Sequence, residues 1–278
     1  MPRTLMAVNF GADLKHRTLS ALVLVPVVLL AAWLGGIPFA ILWVLAGGAI
    51  LYEWATLARL DNQPLFLGIG AITLIGGGGL ALSDAPVYAF SAAALGAAAA
   101  ALAVPRQSGW AMSGLLVAAS ACLPVVVLRG TTPLGLIAVL FLCAVVWATD
   151  IFAYFTGRAL GGPKLWPRVS PNKTWSGAIG GTLAGMAAGL LVAAIPGGAS
   201  SLLPVAGLAL VLSIVSQAGD LAESAIKRLF GVKDASRLIP GHGGLLDRLD
   251  GFAAASLAAV VVALARSASD PAAGLLLW

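Results

Sequence analysis

Nine apolar runs, each sixteen to twenty-one residues long, recur along the chain and leave it little choice of fold. They occupy 19–35, 37–52, 65–82, 87–104, 110–128, 133–152, 175–195, 202–219 and 251–266, the second and last being the shortest. A helix crosses a bilayer with roughly 20 mostly apolar residues, within a range of about 17–25. Composition points the same way. Hydrophobic residues make up 60% of the chain and charged residues 10%, whereas soluble domains hold about 45–50% and about 25%. Such a chain cannot cover its apolar surface in water. The expected fold is all-α, a polytopic integral membrane helix bundle of about nine transmembrane helices, forming one domain over 1–278. The first run follows a polar lead of eighteen residues and has no small-x-small cleavage site after it. It reads as an uncleaved span, not a signal peptide.

Charge sets the orientation. With the N-terminus inside, 14 of the 16 Lys and Arg residues fall in cytoplasmic segments, and only Arg129 and Arg266 fall outside. That bias supports an odd number of spans, N-terminus in and C-terminus out. It also accounts for the net charge of +5 without a nucleic-acid partner. Cys122 and Cys143 lie in apolar runs and read as small buried hydrophobes. Gly181, Gly185 and Gly189 are spaced four apart on one helix face. Small residues so placed let helix backbones approach closely in lipid, either within the bundle or between two copies of the chain.

The chemistry concentrates in two loops, 153–174 and 220–250. Five of the eleven carboxylates, Asp220, Glu223, Asp234, Asp247 and Asp250, lie in the second, and Asp150 sits at the inner end of the sixth span. Ionisable groups at membrane depth cost at least about 2.5–3.5 kcal/mol each, and persist when paired, hydrated or functional. In SQAGDLAESAIKR, residues 216–228, Asp220, Ser224 and Lys227 form one stripe of a helix, with Glu223 and Arg228 beside it. In IPGHGGLLDRLDG, residues 239–251, Gly241, Gly243 and Gly244 permit close backbone approach to a ligand, and glycine-rich turns suit phosphate. Asp247 and Asp250 face one side of the following turn. Carboxylate oxygens of this kind suit Mg²⁺, which takes one or two of them plus substrate phosphates. Each residue also has a plainer reading: the basic residues follow from topology, Asp220 pairs with Lys227, Asp247 pairs with Arg248, His242 is a loop residue, and Asp150 is a helix-end group. The combination points to metal-assisted phosphate chemistry at the inner face.

The segment SAIKRLFGVKDASRLIPGHGGLLDRLD resembles the signature of phosphatidate cytidylyltransferases, also called CDP-diacylglycerol synthases. Its fixed positions are filled by Ser224, Lys227, Arg228, Lys233, Asp234, His242, Gly243, Gly244, Asp247, Arg248 and Asp250. Upstream, Asp150, Tyr154, Gly157 and the run Ser170 to Thr174 are similar to that family's other cytoplasmic loop. The likeness covers 150–278, the catalytic half, while 1–150 holds spans without a specific signal.

The resemblance implies CTP and phosphatidic acid as substrates at a lipid bilayer, with CDP-diacylglycerol and pyrophosphate as products. It further implies Mg²⁺, with a second cation left open, and a homodimer. The expected location is a bacterial-type inner membrane, with the active site cytoplasmic. Asp220 and Asp247, then Asp250, are the expected metal ligands. Lys227, Arg228, Arg248 and Lys173 are expected to neutralise phosphates. Ser224, Asn172, Lys233, His242, Gly243, Gly244 and Asp150 complete the expected substrate site. A lipid kinase using CTP would release CDP instead of pyrophosphate. A transporter would place acidic groups at the midplane and repeat its halves, and neither pattern occurs here.

Overall fold

In lipid, backbone N–H and C=O groups have no water to bond, so a spanning segment must satisfy them within itself as a helix. The computed structural model describes residues 10–278 except Asp84, Arg237 and 239–242, with the backbone alone for 10–21. Ten helices follow in chain order: α1 (Phe10–Leu34), α2 (Gly36–Leu57), α3 (Gln63–Ala81), α4 (Tyr88–Ala103), α5 (Ser108–Arg129), α6 (Pro133–Leu160), α7 (Trp175–Ala193), α8 (Leu202–Leu229), α9 (Leu246–Arg266) and the short α10 (Pro271–Leu276). Each expected span matches one of the first nine, overrunning its ends by two residues at most. Among the described residues seven helices, α2, α3 and α5 to α9, are long and apolar enough to cross a membrane, and the apolar stretches 22–34 and 88–103 are shorter.

Two helices run well past their apolar spans. α6 continues to Leu160, where Gly161 (φ 61°) and Gly162 (φ 97°) precede Pro163 and end it. α8 continues to Leu229, next to Gly231 (φ 70°). No proline lies between the span and those glycines, and leaving lipid is not itself a reason to stop. Residues 150–160 and 220–229 are therefore helical: the stripe expected over 216–228 lies on α8, whereas 153–160, read from the sequence as loop, is the end of α6. Between α6 and α7 the chain forms a hairpin, β1 (Lys164–Trp166) antiparallel to β2 (Ser170–Thr174), an extended element the all-helical expectation did not include. Thr174 then caps α7, its hydroxyl accepting from the Gly177 amide.

The glycine stripe is used inside the chain. A Cβ on Gly181 would lie 2.6 Å from the Thr149 carbonyl and 2.8 Å from Ala153 Cβ, and one on Gly189 would lie 2.6 Å from Val145 Cγ2. These glycines let α7 seat against α6, the most extensive helix pairing in the molecule. Gly157 and Gly177 meet at the same seam: a Cβ on either would lie 3.2–3.3 Å from the other's Cα.

Chain links gather at two ends of the bundle. At one, the Gln107 side chain donates to the carbonyls of Ala58 and Arg59 and accepts from the Asp61 amide, joining the α2–α3 and α4–α5 links. At the other, the buried Arg129 donates to carbonyls of Trp33 and Thr132, joining the α1–α2 and α5–α6 links. Ser200 donates to the Trp278 carbonyl.

Candidate active site

The extended ends of α6 and α8, the hairpin, and the starts of α7 and α9 line a cavity of about 680 Å³, within the usual range for small-molecule sites. Asp150, Tyr154 and Arg158 come from α6, Lys164, Asn172 and Lys173 from the hairpin, Gln217 and Asp220 from α8, and Asp247, Arg248 and Asp250 from α9. The two segments singled out in the sequence thus face each other. Lys173 Nζ lies 2.5 Å from Asp220 Oδ2 and ties them together. Ser224 donates to Asp220 Oδ1 at 3.4 Å, as the helical stripe requires.

Behind this wall lies a second layer. Lys227 is buried and stands between two carboxylates, 2.6 Å from Asp247 Oδ1 and 2.7 Å from Glu223 Oε2. Asp247 is further engaged: the Ala235 amide donates to both its oxygens at 3.1 Å, and the Gly244 amide donates to Oδ2 at 2.8 Å. Lys227 does not line the cavity. Its stripe on α8 is as expected, but its partners are Asp247 and Glu223 instead of Asp220. Arg228 is spent on carbonyls, donating to Val169 at 3.3 Å and Val232 at 2.9 Å, and so fastens the end of α8 to the hairpin turn. Lys233 is exposed on the link before α9, outside the cavity wall. His242 and Gly241 lie outside the described residues.

The two glycines of the signature have separate reasons. Gly243 sits at φ 84°, and a Cβ there would lie 2.9 Å from Asp247 Oδ2. A Cβ on Gly244 would lie 3.0 Å from both carboxylate oxygens of Glu53. Glu53, at the end of α2, went unread in the sequence, although a carboxylate in an apolar run is itself a signal. Arg158 and Lys164 had counted only toward orientation, and Gln217 had not been singled out. Gln217 donates to Thr182 Oγ1 at 2.9 Å, and Arg158 donates to the Tyr154 hydroxyl at 2.8 Å.

The carboxylates can be tested as a metal site. Asp150, Asp220 and Asp250 offer hard oxygens to one cavity, close enough for Asp250 to feel the charges of the other two. Among the described residues no three His, Cys, Asp or Glu side chains gather tightly enough to hold a metal alone. Mg²⁺ needs only one or two carboxylates when substrate phosphates complete its shell, so the set fits an ion shared with a polyphosphate. Asp247 fits that role less well, because Lys227 and backbone amides already engage its oxygens.

Lipid-crossing helices that carry carboxylates, lysines and arginines around a small-molecule-sized cavity at one end have the form of a membrane enzyme acting on phosphate compounds. The chain belongs to the cytidylyltransferase family, whose pattern it matches over residues 15–266. It is 47% identical over 250 residues to the phosphatidate cytidylyltransferase of Brucella abortus, covering 88% of this chain and 91% of that one. Shorter matches reach phosphatidate cytidylyltransferases of Bacillus subtilis, 44% identical over 45% of this chain and 46% of the relative, and of Staphylococcus aureus, 45% identical over 42% and 45%.

Proposed function

We propose that this chain transfers the cytidylyl group of CTP to phosphatidic acid, giving CDP-diacylglycerol and pyrophosphate for phospholipid synthesis. The observation that carries this reading is the convergence of Lys173, Asp220, Arg248 and Asp250, from the hairpin, α8 and α9, on one cavity. The near full-length likeness to a phosphatidate cytidylyltransferase supports it. A phosphate oxygen of the lipid attacks the α-phosphorus of CTP. The new P–O bond forms as the bond from that phosphorus to the bridging oxygen breaks, and pyrophosphate leaves. The attacking phosphate is already ionised at neutral pH, so no residue need act as general base. The obstacle is repulsion between two anions, which fixed cations and oriented dipoles relieve where charge builds up.

In this reading Lys173, Arg248, Arg158 and Lys164 receive phosphates, and Asn172 orients them. Asp220 and Asp250 hold Mg²⁺, with Asp150 beside them, while Asp247 orients Lys227 and the preceding link. When bound, Mg²⁺ supplies charge neutralisation on the transferring phosphate. The cavity end of the bundle carries the cytoplasmic share of basic residues under the nine-span arrangement, so CTP enters from the cytoplasm at the inner membrane. Phosphatidic acid enters sideways from the lipid. A homodimer would use a surface other than the glycine stripe, which faces α6.

The test is purified protein in detergent with Mg²⁺, phosphatidic acid and each nucleoside triphosphate labelled at the α-phosphate. CTP should move label into lipid with one pyrophosphate released per product. A parallel reaction with CTP labelled at the γ-phosphate separates the rival: lipid labelled from it, with CDP released, would identify a kinase. No lipid label from CTP would overturn the proposal.

A further inference from the structure

The first four N–H groups of a helix have no partner within it, and α9 begins on Leu245, whose side chain supplies no cap. The missing acceptor comes from the other half of the chain. Glu53, on α2, is completely buried, and its carboxylate accepts from the Leu245 amide (2.8 Å, Oε1), the Leu246 amide (2.7 Å, Oε2) and the Ser236 hydroxyl (2.6 Å, Oε1). Negative charge at a helix start is also favoured by the helix dipole. The chain closes tightly over this carboxylate, since a side chain at Gly244 would strike both oxygens. Glu53 itself is held firmly. The indole of Trp54 next to it donates to the Trp110 carbonyl at 2.9 Å, and the Trp110 ring meets Phe230, just past α8, edge-on at 4.8 Å.

We infer that Glu53 is a positioning residue for the reaction, fixing the first turn of α9 and the link before it so that Asp247, Arg248 and Asp250 stand at the cavity. It does not line the cavity and acts only through those residues. The inference rests on the functional reading above for its kinetic arm alone. It gives the N-terminal half, which has no motif, a defined part in the site.

Glu53→Gln keeps shape and one acceptor but turns an amide donor toward a backbone donor. Ser236→Ala removes the hydrogen bond to Glu53 and the one its hydroxyl accepts from the Leu238 amide, both on the link side. Both variants, and the double variant, are purified in detergent alongside the unaltered chain. Three quantities are measured: thermal midpoint, rate of native tryptic cleavage at Lys233, exposed in the link, and CTP-dependent kcat per folded molecule. Glu53→Gln should cleave severalfold faster and lose at least about tenfold in kcat per folded molecule, the scale typical of residues that orient a site's ligands, beyond the lower midpoint that a buried donor facing a donor brings. Ser236→Ala should move both quantities the same way by less, and the double variant should fall short of additivity. A purely stabilising contact would lower the midpoint and leave cleavage and kcat per folded molecule unchanged, which would overturn the inference. Should Glu53→Gln not fold, unaltered cleavage and kcat in Ser236→Ala would overturn it equally. Failure of the unaltered chain to use CTP would remove the functional reading, and the cleavage arm would still decide whether Glu53 holds the link.

Discussion

Lys227 and its two carboxylate neighbours are each at most one tenth exposed in their side chains. At that burial, removing the cation leaves Glu223 and Asp247 facing each other, and breaking such a set costs about 3–5 kcal/mol. Lys227→Met should therefore lower the thermal midpoint in detergent sharply, and adding Glu223→Gln in the same chain should restore part of the loss. Asp220 presents the opposite case. Its side chain is a third exposed and pairs with a Lys173 side chain of similar exposure, so the pair is worth no more than about 1 kcal/mol. Asp220→Asn should leave the midpoint nearly unchanged yet cut turnover at least about 100-fold, the scale seen when one oriented group at a transition state is lost. The sequence could place both residues on one stripe of α8, because i, i+4 and i+7 follow from helix geometry. It could not say which of them is buried, because the layer behind the cavity is built by α9 folding back across α8.

Among the elements, α8 has 28 residues and so spans about 42 Å, against about 30 Å for the hydrocarbon core. The surplus lifts Asp220, Ser224 and Lys227 to the membrane edge while keeping them on a rigid element. α6 does the same for Asp150, Tyr154 and Arg158. Apolar length alone marks where lipid ends, and only the glycines at 161 and 231 mark where the helices end. The α6–α7 seam, in turn, depends on the absence of side chains along α7. Gly181→Val would push a branched side chain into the Thr149 carbonyl and Ala153, and overpacking of this kind costs about 1–3 kcal/mol. The expected result is a lower midpoint in detergent with no change in self-association, measured by sedimentation. A shift in oligomeric state at unchanged midpoint would instead place the stripe between copies.

For the molecule as a whole, the links at Gln107 and at Arg129 separate two ends, and the cavity belongs to the end where α6 and α8 finish and α9 starts. Cys122 and Cys143 are buried, so a single introduced cysteine reports the sidedness of each end. Thr131→Cys should react with an impermeant maleimide in intact cells, whereas Asn62→Cys should react only after the membrane is opened; both positions are exposed. The reverse pattern would invert the proposed orientation. Sequence alone determined the class of fold, the apolar runs that become helices and the two polar segments, because hydropathy, charge bias and signature spacing are local properties of the chain. The tertiary structure decided that Lys227 and Arg228 do not line the cavity, that Asp247 is already occupied, and that Glu53 caps α9 from about 190 residues away. Those are contacts between segments remote in sequence, set by how helices stack in three dimensions, and no periodicity along the chain encodes them.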